Sequence, residues 1–106
     1  METNEKPITS ARQAVRYATK TAVNPTDWPR IIQVDEEQRP LPRNTGGAGF
    51  IVVERRAGDP TPTDLEIKKA EAARGVADLL DRQFIDYIII GTDGFYSFAA
   101  ERVLRR

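Results

Sequence analysis

The 106-residue chain contains no cysteine and no histidine. Without cysteine, disulfides and thiolate metal sites are excluded. Without histidine, the commonest metal ligand and the commonest general base are both missing. Any catalysis has to run on carboxylates, lysine, tyrosine, serine or threonine, and any metal has to be a hard, oxygen-preferring cation. An excess of one charge is absent too, with 16 Lys+Arg against 16 Asp+Glu. That balance argues against a non-specific nucleic-acid binder, whose affinity comes largely from surplus positive charge, although a local basic patch stays open. No apolar run approaches a membrane span. The opening METNEKPITS lacks the apolar region of a signal peptide. The expectation is a cytoplasmic protein with no membrane association.

What is present is ordinary for a globular domain, at 40% hydrophobic and 30% charged residues. One domain is expected over residues 9–106, behind a flexible stretch at 1–8. Ser10 and Gln13 have capping-box spacing, and Ala11, Ala14, Val15, Ala18 and Ala22 form a helical stripe behind them. Asn24-Pro25 stops that helix. Trp28 reads as a packing residue. RIIQVD, 30–35, reads as a strand. EEQRPLPRNTGGAG, 36–49, carries three glycines and two prolines and reads as a turn and loop. Phe50 to Glu54 is a second strand. Thr63 or Asp64 caps a second helix running to about Leu80, with Ile67, Ala70, Ala73, Val76, Ala77 and Leu80 as its expected core face. Phe84 to Ile90 is a strand buried on both faces toward its end. Gly91 to Gly94 makes a turn, and Phe95 to Phe98 pairs back as a hairpin. Ala99 to Leu104 is expected to add a last helical turn. The order is α-β-β-α-β-β, a small mixed sheet packed with two helices.

One stretch has the layout in which enzymes often keep their chemistry. AGFIVVERRAGDPTPTDLEI, 48–67, runs strand, tight loop, helix. Its loop holds Arg55 and Arg56 and no soft metal ligand. Asp59, Asp64 and Glu66 lie near enough in sequence to suggest a carboxylate-bound cation, but without calcium-loop spacing. Asp64 and Glu66 also sit where a helix N-terminus favours anions. The glycines of NTGGAGF precede a strand rather than a helix, which is the wrong order for a phosphate loop. Arg39, Arg43, Arg55, Arg56, Lys68 and Lys69 are the candidate contacts for an acidic partner; the bland alternative is a set of solvated faces.

FIDYIIIGTDGFYSFAAERVL, 84–104, together with AGDPTPT, 57–63, resembles the RadC branch of the JAB/JAMM (MPN) superfamily in one ungapped register. ITSARQAVRYATKTA and RIIQVDEEQRPL resemble that family's opening helix, first strand and turn. The resemblance implies a trimmed JAB/RadC-like domain. It also implies where a zinc site would stand: the two histidine positions fall on Val53 and Arg55, the serine position on Thr63 and the aspartate position on Glu66. The segment bearing the family's catalytic glutamate corresponds to the short 36–49 region, where no residue can take that role. Catalytic zinc needs about three protein ligands and a water, so the expectation is a vestigial site with no zinc, no other cofactor and no isopeptidase activity. Either Arg55 or Arg56 is expected to pair with Glu66. The implied function is protein–protein binding by a non-catalytic relative, with an inhibitor of host defence encoded on a phage or plasmid as one concrete form. A nucleic-acid accessory protein and a carboxylate-metal enzyme remain as alternatives. Self-association through the edge of the FYSF hairpin stays open.

Overall fold

A computed structural model describes residues 6–42 and 46–105. Helix α1 spans Ala11–Thr21. Ser10 caps it, its hydroxyl accepting from the Gln13 N–H at 3.2 Å. The Gln13 side chain reaches one residue further back than a standard capping box, accepting from the Thr9 N–H at 2.6 Å. At the far end, the Ala18 carbonyl accepts from the Ala22 N–H at 3.1 Å and from Arg30 at 2.7 Å, and Arg30 also donates to the Thr21 hydroxyl. A 3-10 turn at Pro25–Asp27 follows, and the Asp27 carboxylate accepts from the N–H groups of Val23 and Asn24 at 2.7 and 2.9 Å.

Five strands form one sheet in sequence order: β1 (Arg30–Val34), β2 (Gly49–Arg55), β3 (Gln83–Ile90), β4 (Gly94–Ser97) and β5 (Arg102–Arg105). Every neighbouring pair is antiparallel except β2 and β3, which run parallel. A parallel pair needs a crossover, and helix α2 (Asp64–Leu79) supplies it. The fold is therefore mixed α/β, with two helices and a five-stranded sheet.

The helices cover opposite faces. Ala14, Val15 and Ala18 of α1 pack with Ile32, Val34, Ile51, Val53, Ile88, Ile90 and Phe95 in the main core. On the other face, Ala70 of α2 packs with Tyr87 and Ile89, flanked by Val52, Phe84, Tyr96 and Phe98. Strand β3 is sandwiched between the two clusters, which explains why its sequence ends in an unbroken isoleucine run. Burying each of Ile88, Ile89 and Ile90 contributes roughly 1.5–3 kcal/mol.

Three expectations need correction. Residues 98–101 make a turn and the chain then enters β5, so Ala99 to Leu104 is not a helical turn. Glu101 takes φ 58°, a reversal that releases Arg102–Arg105 to pair with β4 and makes β5, not FYSF, the sheet edge. The buried face of α2 matches the expected one only at Ala70 and Ala77. Glu66, Ala70 and Ala77 are buried, while Ile67, Val76 and Leu80 are 41%, 48% and 56% exposed. The physical cause is Glu66, which turns inward to partners described below and takes the place an apolar stripe would have had. Ile8 is buried in the main core and its N–H donates to the Gln38 carbonyl at 2.8 Å; residues 1–5 lie outside the described chain.

Candidate functional site: the carboxyl end of the parallel strand pair

In open α/β sheets, ligands favour the crevice beyond the carboxyl ends of parallel strands. Here that place is built from the 55–63 loop after β2 and the 91–94 turn after β3. The two are tied together. Thr92 N–H donates to the Gly58 carbonyl at 2.9 Å, and Gly58 N–H donates to the Thr92 hydroxyl at 2.8 Å. Gly58 has φ +88°, a conformation that favours glycine. A Cβ on Gly91 would lie 2.5 Å from the Gly58 carbonyl oxygen, so the close approach requires glycine there as well. Asp59 folds the next turn, accepting from the Thr61 N–H at 2.9 Å and the Thr61 hydroxyl at 2.7 Å; these bonds hold its carboxyl below the usual range.

Strand alternation sends the two arginines different ways. Val53 is fully buried in the α1-side core. Arg55 lies on that same side, its guanidinium carbon 6.0 Å from the Trp28 ring centroid. Arg56 goes to the α2 side. It meets Glu66 at 2.9 Å and donates to the Thr61 carbonyl at 2.6 Å. Glu66 is buried and also accepts from the Thr63 N–H at 2.9 Å, closing a capping box on α2 with the Thr63 side chain. The bond from the Thr63 N–H, with further help from the Arg56 cation, keeps the Glu66 carboxyl below its ordinary range. Of the two expected partners for Glu66, the structure selects Arg56.

The four positions carried over from the resemblance do not form a metal site. Val53 offers no donor atom and Arg55 is a permanent cation. Glu66 is engaged by Arg56 and Thr63. Asp59 is engaged by Thr61, and among the described residues no group of three or more carboxylates could hold a metal ion. The residues present therefore do not fit zinc.

The candidate basic contacts are scattered rather than gathered. Arg39 closes on Asp35 at 3.0 Å and Glu37 at 2.6 Å. Arg39 follows β1, near the start of β2, and Arg55 ends β2, so the strand sets them roughly 20 Å apart at about 3.3 Å per residue. Lys69 approaches Glu54 at 3.9 Å, and Lys68 is exposed on α2. Arg43 lies outside the described residues.

Two polar constellations have no counterpart in the sequence reading. Tyr87 donates its hydroxyl to Glu54 at 2.6 Å, and burial with that neighbouring carboxylate pushes its ionisation well above the ordinary tyrosine range. Asp86, almost fully buried, accepts from the Ser97 hydroxyl at 2.5 Å and the Ala99 N–H at 3.0 Å. Burial raises its pKa, opposed by those bonds. It fastens β3 to the turn that leads into β5, which is a structural task. The apolar alternation around Asp86 in FIDYIII was the available signal, because an acid inside such a strand needs partners.

No family model matches the chain. A UPF0758 protein of Syntrophotalea carbinolica is 32% identical over 65 residues, 61% of this chain and 29% of that protein. The chain thus spans under a third of the length of the relative it matches. The similarity supports a RadC-like relationship over the matched segment. Among the described residues, no helix is long and apolar enough to cross a membrane.

Proposed function

We propose that the chain is a non-catalytic, protein-binding domain built on a RadC-like frame. The observation that carries the reading is the Arg56–Glu66 pair, 2.9 Å apart on the strand–loop–helix frame. Where the resemblance would place an acid ligand, a cation already holds the acid. The frame keeps its shape through internal hydrogen bonds, so its geometry needs no metal. An inhibitor of host defence, encoded on a mobile element, is the concrete form suggested by the resemblance.

Two measurements test this. Calorimetric titration with Zn²⁺, Mg²⁺ and Mn²⁺ is expected to give no saturable heat; a stoichiometric metal would revive the carboxylate-metal enzyme. Affinity capture from the native host with the tagged full chain is expected to recover a defined protein, and recovery of the chain alone would count against the reading. Nucleic-acid binding is the second reading but gains little support here, because Arg39 and Arg56 are occupied by carboxylates.

A further inference from the structure

Beside the engaged Arg56–Glu66 pair lies an open cleft of about 860 Å³ on the α1 side of the carboxyl ends of β2 and β3. Its walls include Ala22, Val23 and Pro25 from the end of α1 and the turn after it, Trp28, Arg55 and the 57 and 91–92 backbone. Among the described residues, no carboxylate lines it. The nearby Asp27 is already accepting from two backbone N–H groups, and Glu66 is held by Arg56 and Thr63. The cleft therefore carries positive charge and no carboxylate of its own.

Arg55 sets its chemistry. Among the described residues, its side chain makes no ion pair with a carboxylate, and its guanidinium carbon lies 6.0 Å from the Trp28 ring centroid. A cation–π approach at the outer limit of its range holds the guanidinium loosely and leaves its N–H groups available. Arg56 also lines the cleft, but its guanidinium is engaged by Glu66 and the Thr61 carbonyl. Beside Arg55 the lining also offers apolar side chains, among them Val23, which is 85% exposed.

We infer that the Arg55–Trp28 cleft receives an aspartate or glutamate side chain, flanked by an apolar residue, from a peptide segment of a partner protein. The inference rests on the binding reading above and names the chemistry of its partner. A planar guanidinium pairs with a carboxylate through two parallel hydrogen bonds. The exposed Val23 and Pro25 give an adjoining apolar side chain somewhere to lie. A nucleic acid fits less well, since its binding needs several phosphate contacts and only one unpaired guanidinium is offered.

Trp28 is the chain's single tryptophan, so its emission reports on this cleft alone. The immobilised full chain would be panned against a random heptapeptide display library. Recovered peptides are expected to be enriched in Asp or Glu beside an apolar residue. Their synthetic forms should change Trp28 emission saturably, and weaken on raising salt from about 50 to about 500 mM. Arg55→Gln should weaken them by about tenfold or more, the loss of a charge-assisted hydrogen bond. Glu→Gln in the peptide should do the same, and Arg16→Gln, at an exposed position of α1 away from the cleft, should change nothing. Circular dichroism of Arg55→Gln and Trp28→Phe separates lost binding from lost fold, with Trp28→Phe read by anisotropy of labelled peptide. No acidic enrichment, or equal binding by Arg55→Gln, would overturn the inference. So would tighter, Arg55-dependent binding of a labelled single-stranded oligonucleotide. If a captured host protein binds equally to Arg55→Gln, the binding reading stands and the cleft assignment falls; if no protein is captured at all, the binding reading itself falls.

Discussion

Removing the Glu66 carboxylate tests whether the Arg56–Glu66 pair is what now orders the strand–loop–helix frame. Glu66→Ala deletes two things. One is the acceptor of the Thr63 N–H, half of the capping box, worth about 1 kcal/mol. The other is the partner of Arg56. A charge-assisted bond is worth about 1.5–3 kcal/mol when well buried. Glu66 is buried, but the Arg56 side chain is 30% exposed, so solvent screening reduces that share to about 1 kcal/mol. The expected loss is about 2 kcal/mol, or roughly 8–16 °C in Tm for a domain of this size. Glu66→Gln keeps an acceptor oxygen for both neighbours and should cost about half as much. In a double-mutant cycle with Arg56→Leu, the two changes should couple by about 1 kcal/mol. Urea denaturation followed by circular dichroism measures all four proteins. A Glu66→Ala loss under about 0.5 kcal/mol, or additive single changes, would refute the assignment.

The same pair predicts a pH dependence with a definite sign. The Thr63 N–H and the Arg56 cation hold the folded Glu66 carboxyl below its ordinary value of 4.5. Its stabilisation is thus fully present above that value and is lost as pH falls through the lower folded one. The gap between wild type and Glu66→Gln should be widest near neutrality and shrink once the pH drops below about 4. A gap that stays constant to about pH 2 would show that charge contributes nothing here.

Other outcomes follow from single contacts. Val53→His, which restores an imidazole at one resembled ligand position, buries a polar ring in the α1-side core and should cost at least about 2 kcal/mol by urea melt. Gly91→Ala places a methyl against the Gly58 carbonyl and should separate the two zippered loops, seen as faster amide exchange at Gly58 and Thr92. Asp86→Ala leaves the Ser97 hydroxyl and Ala99 N–H without their acceptor and should cost about 2 kcal/mol, more than Ser97→Ala. Because burial raises the Asp86 pKa, its ionised form disfavours the fold; that contribution worsens as pH rises from 3.8 through the folded value, opposite in sign to Glu66. Comparing acid melts of the Asp86→Asn and Glu66→Gln proteins separates the two.

Local signals carried most of the architecture. Proline, glycine and capping residues mark both helices, and the isoleucine run of β3 declares a strand covered on both faces. What local pattern could not convey is direction. Of the expected face Ile67, Ala70, Ala73, Val76, Ala77 and Leu80, Ala70 and Ala77 are buried, but a single inward acid, Glu66, stands beside them while Ile67, Val76 and Leu80 are left exposed. The signal was in Thr63-x-x-Glu66, a capping-box spacing that already directs that glutamate back toward the chain. Strand β5 was hidden because ERVLR is short and charged, as protected edge strands are. The role of Trp28 as a platform for Arg55 depends on a contact spanning 27 residues, and no window on the sequence contains it.

Adjacent in the chain, Arg55 and Arg56 end up doing unlike work because they leave β2 on opposite sides. Arg56 is committed to the fold: its guanidinium bridges Glu66 at the start of α2 and the Thr61 carbonyl of the loop, so removing it should be felt in stability. Arg55 lies over the Trp28 ring, 6.0 Å from its centroid, and pairs with no carboxylate among the described residues, so removing it should be felt in binding and hardly in stability. A variant that changes both at once would lose binding for either reason and decide nothing. Changed singly, they separate the frame from the surface it presents. If Arg55→Gln lowered Tm by as much as Arg56→Leu, the division would be wrong, and the cation over Trp28 would belong to the fold rather than to a partner.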